Sequence, residues 1–289
     1  MIRSLRKSGR QVGWFEAYAL VFYVYLFAPL LVTAVLAFND SPFPTLPWEG
    51  FTLEWFIGNS PERVGFFNDT ILLDSIKISI EVAVYVSLLA VLFGTMTAFL
   101  FEREEFPFKN WLYFLMLTPL VIPGVILGIS ILSISIDLGL YLEERHGIDV
   151  EILRPGFWLV VAGQFSFITT LTTLIISARL RKFDVSLEEA AMNLGANRFR
   201  VIRFIILPYL RPALISAGVV GFLMSFENFN TTLFLIGSDP TLPVSLYLQV
   251  RDGSTPVINA ASFMLMLGTA LAALATLLLS RGGSGDSET

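Results

Sequence analysis

The 289-residue sequence contains no cysteine and a single histidine, His146. The first absence excludes disulfides, zinc–thiolate sites, iron–sulfur clusters and cysteine nucleophiles. The second removes His-based metal centres, including the H-E-x-x-H pair of zinc peptidases. His146 follows Glu143 and Glu144 in a polar stretch, where it reads as a solvated residue rather than half of a Ser–His pair. Charge is scarce too: 15% of residues are Asp, Glu, Lys or Arg, against about a quarter in soluble domains. The net charge of −5 gives no reason to expect nucleic-acid binding. No G-x-x-x-x-G-K-[ST] run occurs, so the chain has no phosphate-binding loop of that type. The chain is therefore read as having no enzymatic chemistry and no cofactor of its own.

What is present is apolar and blocked. Hydrophobic residues make up 55% of the chain, and mean hydropathy is +0.71. Residues 17–38, 82–101, 110–136, 155–178 and 253–280 carry no charge, and 212–238 carries only Glu227. A helix needs roughly 20 mainly apolar residues to cross the ~30 Å hydrocarbon core of a bilayer. All six windows meet that length, and only helices or closed barrels satisfy their backbone in lipid. The spacing predicts an all-α integral membrane protein with six transmembrane helices. The first window is too long for a signal-peptide core and reads as an uncleaved helix.

Fourteen of the nineteen basic residues fall on one side of these spans: the N-terminal tail (Arg3, Arg6, Lys7, Arg10), the loops after the second and fourth spans, and Arg281. The positive-inside rule places both termini in the cytoplasm. This divides the chain into a cytoplasmic tail (1–14), a membrane domain (15–281) and a Gly/Ser/acidic tail (282–289). The loops on the other side, 39–70 and 137–154, are acidic. Pro42, Pro44 and Pro47 break regular structure in the first of them.

Most cytoplasmic loops are short, but residues 179–211 are long and patterned throughout: RLRKFDVSLEEAAMNLGANRFRVIRFIILPYLR. Ser186 and Glu189 are spaced as a capping box. Leu187, Ala190, Ala191 and Leu194 follow at i, i+3, i+4 and i+7, one face of a helix. Gly195 stands where a left-handed C-terminal cap belongs. Asn197 is placed to cap a second short helix, which Pro208 ends or kinks. The residues alone leave two readings open: a docking surface for another protein, through small Ala190–Ala191, or a helix pair on lipid headgroups.

Glu189-Ala190-Ala191, three residues, Gly195, nine residues, then Ile205-x-Leu207-Pro208 resembles the EAA motif of ATP-binding-cassette (ABC) importer permeases of type I. The resemblance extends through TPLVIPGVILGIS at 118–130, SFENFNTTLFLIG at 225–237 and TLPVSLYLQVRDGSTPVINA at 241–260, which are similar to the spermidine/putrescine subgroup, in particular its second permease subunit. It implies a six-helix permease fold in a bacterial inner membrane, with a cytoplasmic coupling helix. By resemblance, Glu189, Ala190, Ala191 and Gly195 contact a separate ATPase, which binds ATP and Mg. The implied partners are a second homologous permease subunit forming a heterodimer, two copies of the ATPase, an extracytoplasmic solute-binding protein and the lipid bilayer.

Glu227 is the one acid inside the fifth window, and Asn228, Asn230, Thr231 and Thr232 follow it. A carboxylate at that depth requires a cavity or a partner, so Glu227, Asn228, Asn230 and Thr231 are read as lining the substrate path. A buried hydrogen-bond network is the alternative. Polyamine permeases often carry an acid after the second proline of the third-span motif; here Gly124 follows Pro123. An amino-acid-like or other organic solute therefore stays open beside a polyamine. Gln164, Ser166, Thr169, Thr170, Thr172 and Thr173 in the fourth span read as helix–helix contacts. Pro119, Pro123 and Gly124 are candidates for breaking the third. A self-contained secondary transporter would show an internal repeat, and residues 1–145 and 146–289 show no convincing similarity.

Overall fold

The computed structural model describes residues 11–253 and 255–282, with the side chains of 13–253 and 255–271. Residues 1–10 and 283–289, and the side chain of Arg281, lie outside the described residues, so the basic N-terminal tail and most of the acidic C-terminal tail do too. The elements in chain order are α1 (Gln11–Leu36), α2 (Glu54–Ile57), the short strands β1 (Asn59–Ser60) and β2 (Arg63–Val64), α3 (Thr70–Arg103), α4 (Lys109–Val121), α5 (Gly124–His146), α6 (Phe157–Leu180), α7 (Val185–Asn193), α8 (Arg198–Val201), α9 (Leu207–Phe226), α10 (Thr232–Leu235), α11 (Leu242–Gly253) and α12 (Val257–Gly282).

Five helical stretches among the described residues are long and apolar enough to cross a membrane: Gly13–Leu36, Thr70–Arg103, Gly124–His146, Phe157–Leu180 and Arg198–Phe226. The side-chain-resolved part of the sixth window, Val257–Leu271, is a shorter apolar helix. Much of this surface is open, α1 most of all, with Trp14, Phe15, Tyr18 and Tyr25 exposed. That is the pattern of helices whose apolar sides meet lipid or another protein rather than their own core.

The third window is broken at one of its candidate positions, and the fifth differs from the sequence reading. The third is interrupted: α4 ends at Val121, Ile122 and Pro123 are extended, and α5 begins at Gly124. Pro119 lies inside α4, so the interruption belongs to Pro123, whose preceding residue is forced out of helical geometry. The fifth window, 212–238, is displaced. Its long helix starts at Arg198 and ends at Phe226, leaving Glu227 as the C-terminal cap residue. Arginines outside the charge-free window do not stop a helix, and neither does Pro208. Residues 202–206 form a π turn in which Leu207 N–H bonds Ile202 O. Pro208 then enters at the start of α9, where its missing N–H costs little.

The described residues fall into two compact units, one drawn from residues 11–73 and 248–282 and the other Asp74–Tyr247. In the first, Asn39 organises the acidic loop. Its amide donates to Thr45 O and Pro47 O, and its Oδ1 accepts from Glu49 N–H at 2.8 Å. Trp55 Nε1 donates to Asn39 O at 2.8 Å. Phe38, Phe56 and Phe263 meet at 5.1–5.9 Å between ring centres. Arg63 pairs with Asp40 and Glu54, and the hydrogen bond to Asp40, then that to Glu54, raises its pKa further. The two-residue ladder of β1 on β2 is a small departure from an all-α chain.

In the second unit α6 is the central helix, with twelve buried residues from Leu159 to Leu180. It packs on α3 through Val82, Val86 and Ala90, and Thr172 Oγ1 donates to Ala90 O at 2.8 Å. Thr170 Oγ1 donates to Met116 O of α4 at 2.8 Å. Of the fourth-span hydroxyls, Thr170 and Thr172 thus join helices, while Ser166 and Thr173 bond carbonyls of α6 itself. Close approach of α3 and α6 depends on Gly94, where a Cβ would lie 2.5 Å from Thr172 Oγ1 and 3.1 Å from Thr173 N. Gly94→Val is expected to lower stability by about 1–3 kcal/mol, the usual result of overpacking, read as a lower thermal midpoint of the detergent-purified protein.

Candidate functional site

The first candidate region is the loop after α6. Asp184 is the N-cap of α7, and its carboxylate accepts from Ser186 N–H at 3.0 Å. Bonds from the Ser186 hydroxyl and its backbone N–H hold that carboxyl below the ordinary Asp range. The cap is thus intact at neutral pH and lost only as pH falls through the lowered pKa. Ser186 and Glu189 do not form the capping box. The helix begins before Ser186 because Asp184, itself a strong capping residue, precedes it.

The C-terminal end follows the sequence reading. Gly195 has φ +86°; its N–H bonds Met192 O at 2.9 Å, and Ala196 N–H bonds Ala191 O at 3.0 Å. These are the two bonds of a Schellman cap. Asn197 then caps α8, accepting from Arg200 N–H at 2.8 Å. The local chemistry fixes a helix, a reversal and a second helix that continues through the π turn into α9.

Glu189 and Ala190 are exposed, Gly195 is exposed, and Ala191 is half-buried. Ala191 packs on the cluster of Ala98, Ile176, Leu180, Phe183 and Val201, so it marks the inner edge of the helix. Leu187 and Leu194 face outward, Leu194 with 90% of its surface accessible, and Phe199 and Phe204 are exposed beyond them. Leu187 and Leu194 are thus exposed apolar side chains outside the long apolar helices, while Phe199 and Phe204 belong to the first turns of the Arg198–Phe226 stretch.

The second region is the polar stretch after α9. Ser225 donates its hydroxyl to Gln164 Oε1. Gln164 Nε2 donates to Thr232 Oγ1 at 2.7 Å. Thr232 Oγ1 and its N–H donate to Asn228 Oδ1 at 2.9 and 3.3 Å. Gln164 and Thr232 are fully buried. Residues 228–237 also run close to glycines. A Cβ at Gly124 would lie 3.0 Å from Asn230 Cβ and 3.1 Å from Thr231 Oγ1; at Gly128 it would lie 2.8 Å from Thr231 O; at Gly163 it would collide with Leu235. Gly156 N–H bonds Leu235 O at 2.8 Å.

The four residues read from sequence as path-lining therefore occupy two environments. Asn228 accepts from Thr232, and Thr231 is buried against α5. Glu227 and Asn230 are exposed. Gly124 is needed for the close approach of Asn230 and Thr231. Sequence reasoning missed this glycine-lined slot. Its signal lay in Gly124-x3-Gly128, the small-residue spacing that lets backbones approach in membranes. Among the described residues, no group of three or more His, Cys, Asp or Glu is arranged to hold a metal.

Long apolar helices, a broken span and a patterned loop presenting apolar side chains outside the spans define a multi-pass membrane transport subunit rather than a catalytic one. Residues 90–281 match the family described as binding-protein-dependent transport system inner membrane component, and the chain belongs to that family. It is therefore an inner-membrane permease component of an ABC import system, which implies a binding protein and an ATPase on other chains. It is 30% identical over 265 residues to the spermidine/putrescine transport system permease protein PotC of Haemophilus influenzae, covering 91% of this chain and 95% of that protein. It is 31% identical over 255 residues to the putrescine transport system permease protein PotI of Escherichia coli K12, covering 88% and 85%. Its fold is shared with a chain of a bacterial ABC transporter involved in the import of the acidic polysaccharide alginate, with a TM-score of 0.65 and 13% identity over 95% of this chain and 97% of that one.

Gln164→Leu is expected to leave the Ser225 and Thr232 hydroxyls without their partner and to cost about 1–3 kcal/mol. The check is a thermal melt of the purified subunit, with Gln164→Glu as a variant that keeps a polar group in place.

Proposed function

We propose that the chain forms half of the translocation path of an importer for a small organic solute, with a polyamine such as spermidine or putrescine as the substrate. The reading has six transmembrane helices, with residues 257–282 as the sixth, and both termini in the cytoplasm. A second homologous permease subunit completes the path, and two copies of an ATPase drive alternating access. The observation that carries it is the outward stripe of α7, Leu187, Ala190 and Leu194, beside exposed Glu189. Ala190 lets a partner backbone approach closely, and Gly195 ends the helix so that this face projects. Similarity to permeases named for spermidine and putrescine supports the substrate class.

In this account ATPase closure displaces α7, and the spans rearrange around the segment that carries Glu227 and Asn230. An exposed carboxylate in the path attracts a cationic solute, while Asn228 and Thr231 hold the segment in its slot. A second reading rests on Gly124. No carboxylate stands at the start of α5, and that helix has no side-chain cap, so a less cationic, amino-acid-like solute also fits. Calorimetry of the cognate binding protein with spermidine, putrescine and amino acids decides between the two.

Two variants test the assignment. Glu189→Lys is expected to weaken ATPase binding by roughly thirtyfold, the ~2 kcal/mol of an interface hot spot, measured by co-purification over a concentration series. Glu227→Gln is expected to impair uptake by the assembled transporter without loss of assembly. Unchanged uptake would remove Glu227 from the path.

A further inference from the structure

The coupling-loop helix α7 buries none of its nine residues, yet a moving helix must be attached to what it moves. Among the described residues, one ion pair or side-chain hydrogen bond joins α7 to another helix. Arg103 Nη2, at the last residue of α3, lies 2.6 Å from Glu188 Oε1, with side chains 21% and 17% accessible. Both atoms, and Arg103 Nε, are shielded from solvent and none of the three meets hydrogen-bond geometry, so the contact is an ion pair held by charge alone. The Arg103 guanidinium stands over Phe183 at 5.8 Å. Phe183 is buried and meets Tyr209 of α9 edge-on at 5.0 Å. The preceding residue, Glu102, pairs with Arg181 at 2.8 Å, so consecutive residues at the end of α3 hold the end of α6 and the middle of α7.

We propose that the Arg103–Glu188 pair is the strut through which displacement of α7 enters the membrane-spanning helices, making Glu188 and Arg103 positioning residues for energy coupling. The inference rests on the reading of α7 as the helix that engages the ATPase. Glu188 and Glu189 then divide the work: Glu188 is turned to α3 inside the chain, and Glu189 is exposed toward a partner. Apolar contacts such as that of Ala191 resist compression but slide and separate under tension. A shielded ion pair attracts more strongly than one in water and resists being pulled apart as well as pushed together. A transport cycle needs both strokes. An exposed surface pair would contribute little, but removing one partner here leaves a shielded charge unpaired.

The test is solute uptake per ATP hydrolysed, measured on the assembled transporter in proteoliposomes. The variants are Glu188→Gln, Arg103→Gln and the reciprocal exchange Arg103→Glu with Glu188→Arg. Each single variant is expected to retain the ATPase and to lose about tenfold in uptake per ATP, a coupling loss of ordinary allosteric size. The exchange is expected to recover most of it. A residue that matters only for folding would lower the amount of complex and leave the ratio unchanged. The proposal is overturned if the single variants keep the native ratio, or if the exchange is as poor as they are. Should the single variants fail to assemble, the exchange decides alone: a native ratio supports the strut, while poor coupling or failed assembly overturns it. Glu189→Lys serves as the separate control. If that variant keeps both ATPase and coupling, the ATPase-facing role of α7 fails, whatever Glu188 does.

Discussion

A chain in a bilayer has no water to satisfy its backbone, so every departure from helix within the apolar spans must be covered by the protein itself. Two departures occur among the described residues, at Ile122–Pro123 and after Phe226. Gly124 and Gly128 at the start of α5 let residues 230–231 come within contact distance. Gln164, at the centre of α6, supplies the amide that ties Ser225 to Thr232, and Thr232 holds Asn228. Gly156 N–H takes up Leu235 O. The irregular backbone is thus tolerated because α5 and α6 are cut away to receive it. The same arrangement leaves Glu227 and Asn230 exposed.

The loop after α6 meets the opposite constraint. In water, a short helix with no buried residue is marginal on propensity alone. Asp184, the Gly195 reversal and Asn197 supply partners for the free backbone groups at its ends and between α7 and α8. Leucines left outward on such a helix, Leu187 and Leu194, gain nothing from the chain's own core. The charged attachment at Arg103 and Glu188 lets the helix stand away from the spans without detaching from them.

How much of this was legible depended on how local each cause is. Spans showed in charge-free windows, because lipid penalises charge wherever it falls. The end of the fifth was misplaced because a window counts charges and not helix geometry: Arg198–Arg211 are charged yet helical, and Glu227 is apolar-flanked yet a cap. Gly195 and Asn197 were readable because a cap acts over three or four residues. Ser186 was mistaken for the N-cap since Asp184 offers the same chemistry two residues earlier. The two-residue strands β1 and β2 are too short to leave a pattern, and the start of α11 is fixed by a distant partner, Ser79, whose hydroxyl accepts from Leu242 N–H at 2.7 Å. The two environments of the 227–231 group depend on glycines about a hundred residues away, and no local pattern carries that.

The lack of cysteine makes the central claim, that the outward face of α7 docks on the ATPase, directly measurable. A single Leu194→Cys substitution gives one thiol in the chain at a site now 90% exposed, and its maleimide labelling is followed in the isolated subunit and in the assembled transporter. The account predicts rapid labelling of the isolated subunit, strong protection on assembly, and a disulfide crosslink to the ATP-binding chain when a facing cysteine is supplied there. Equal labelling in both states, with no crosslink, would contradict it.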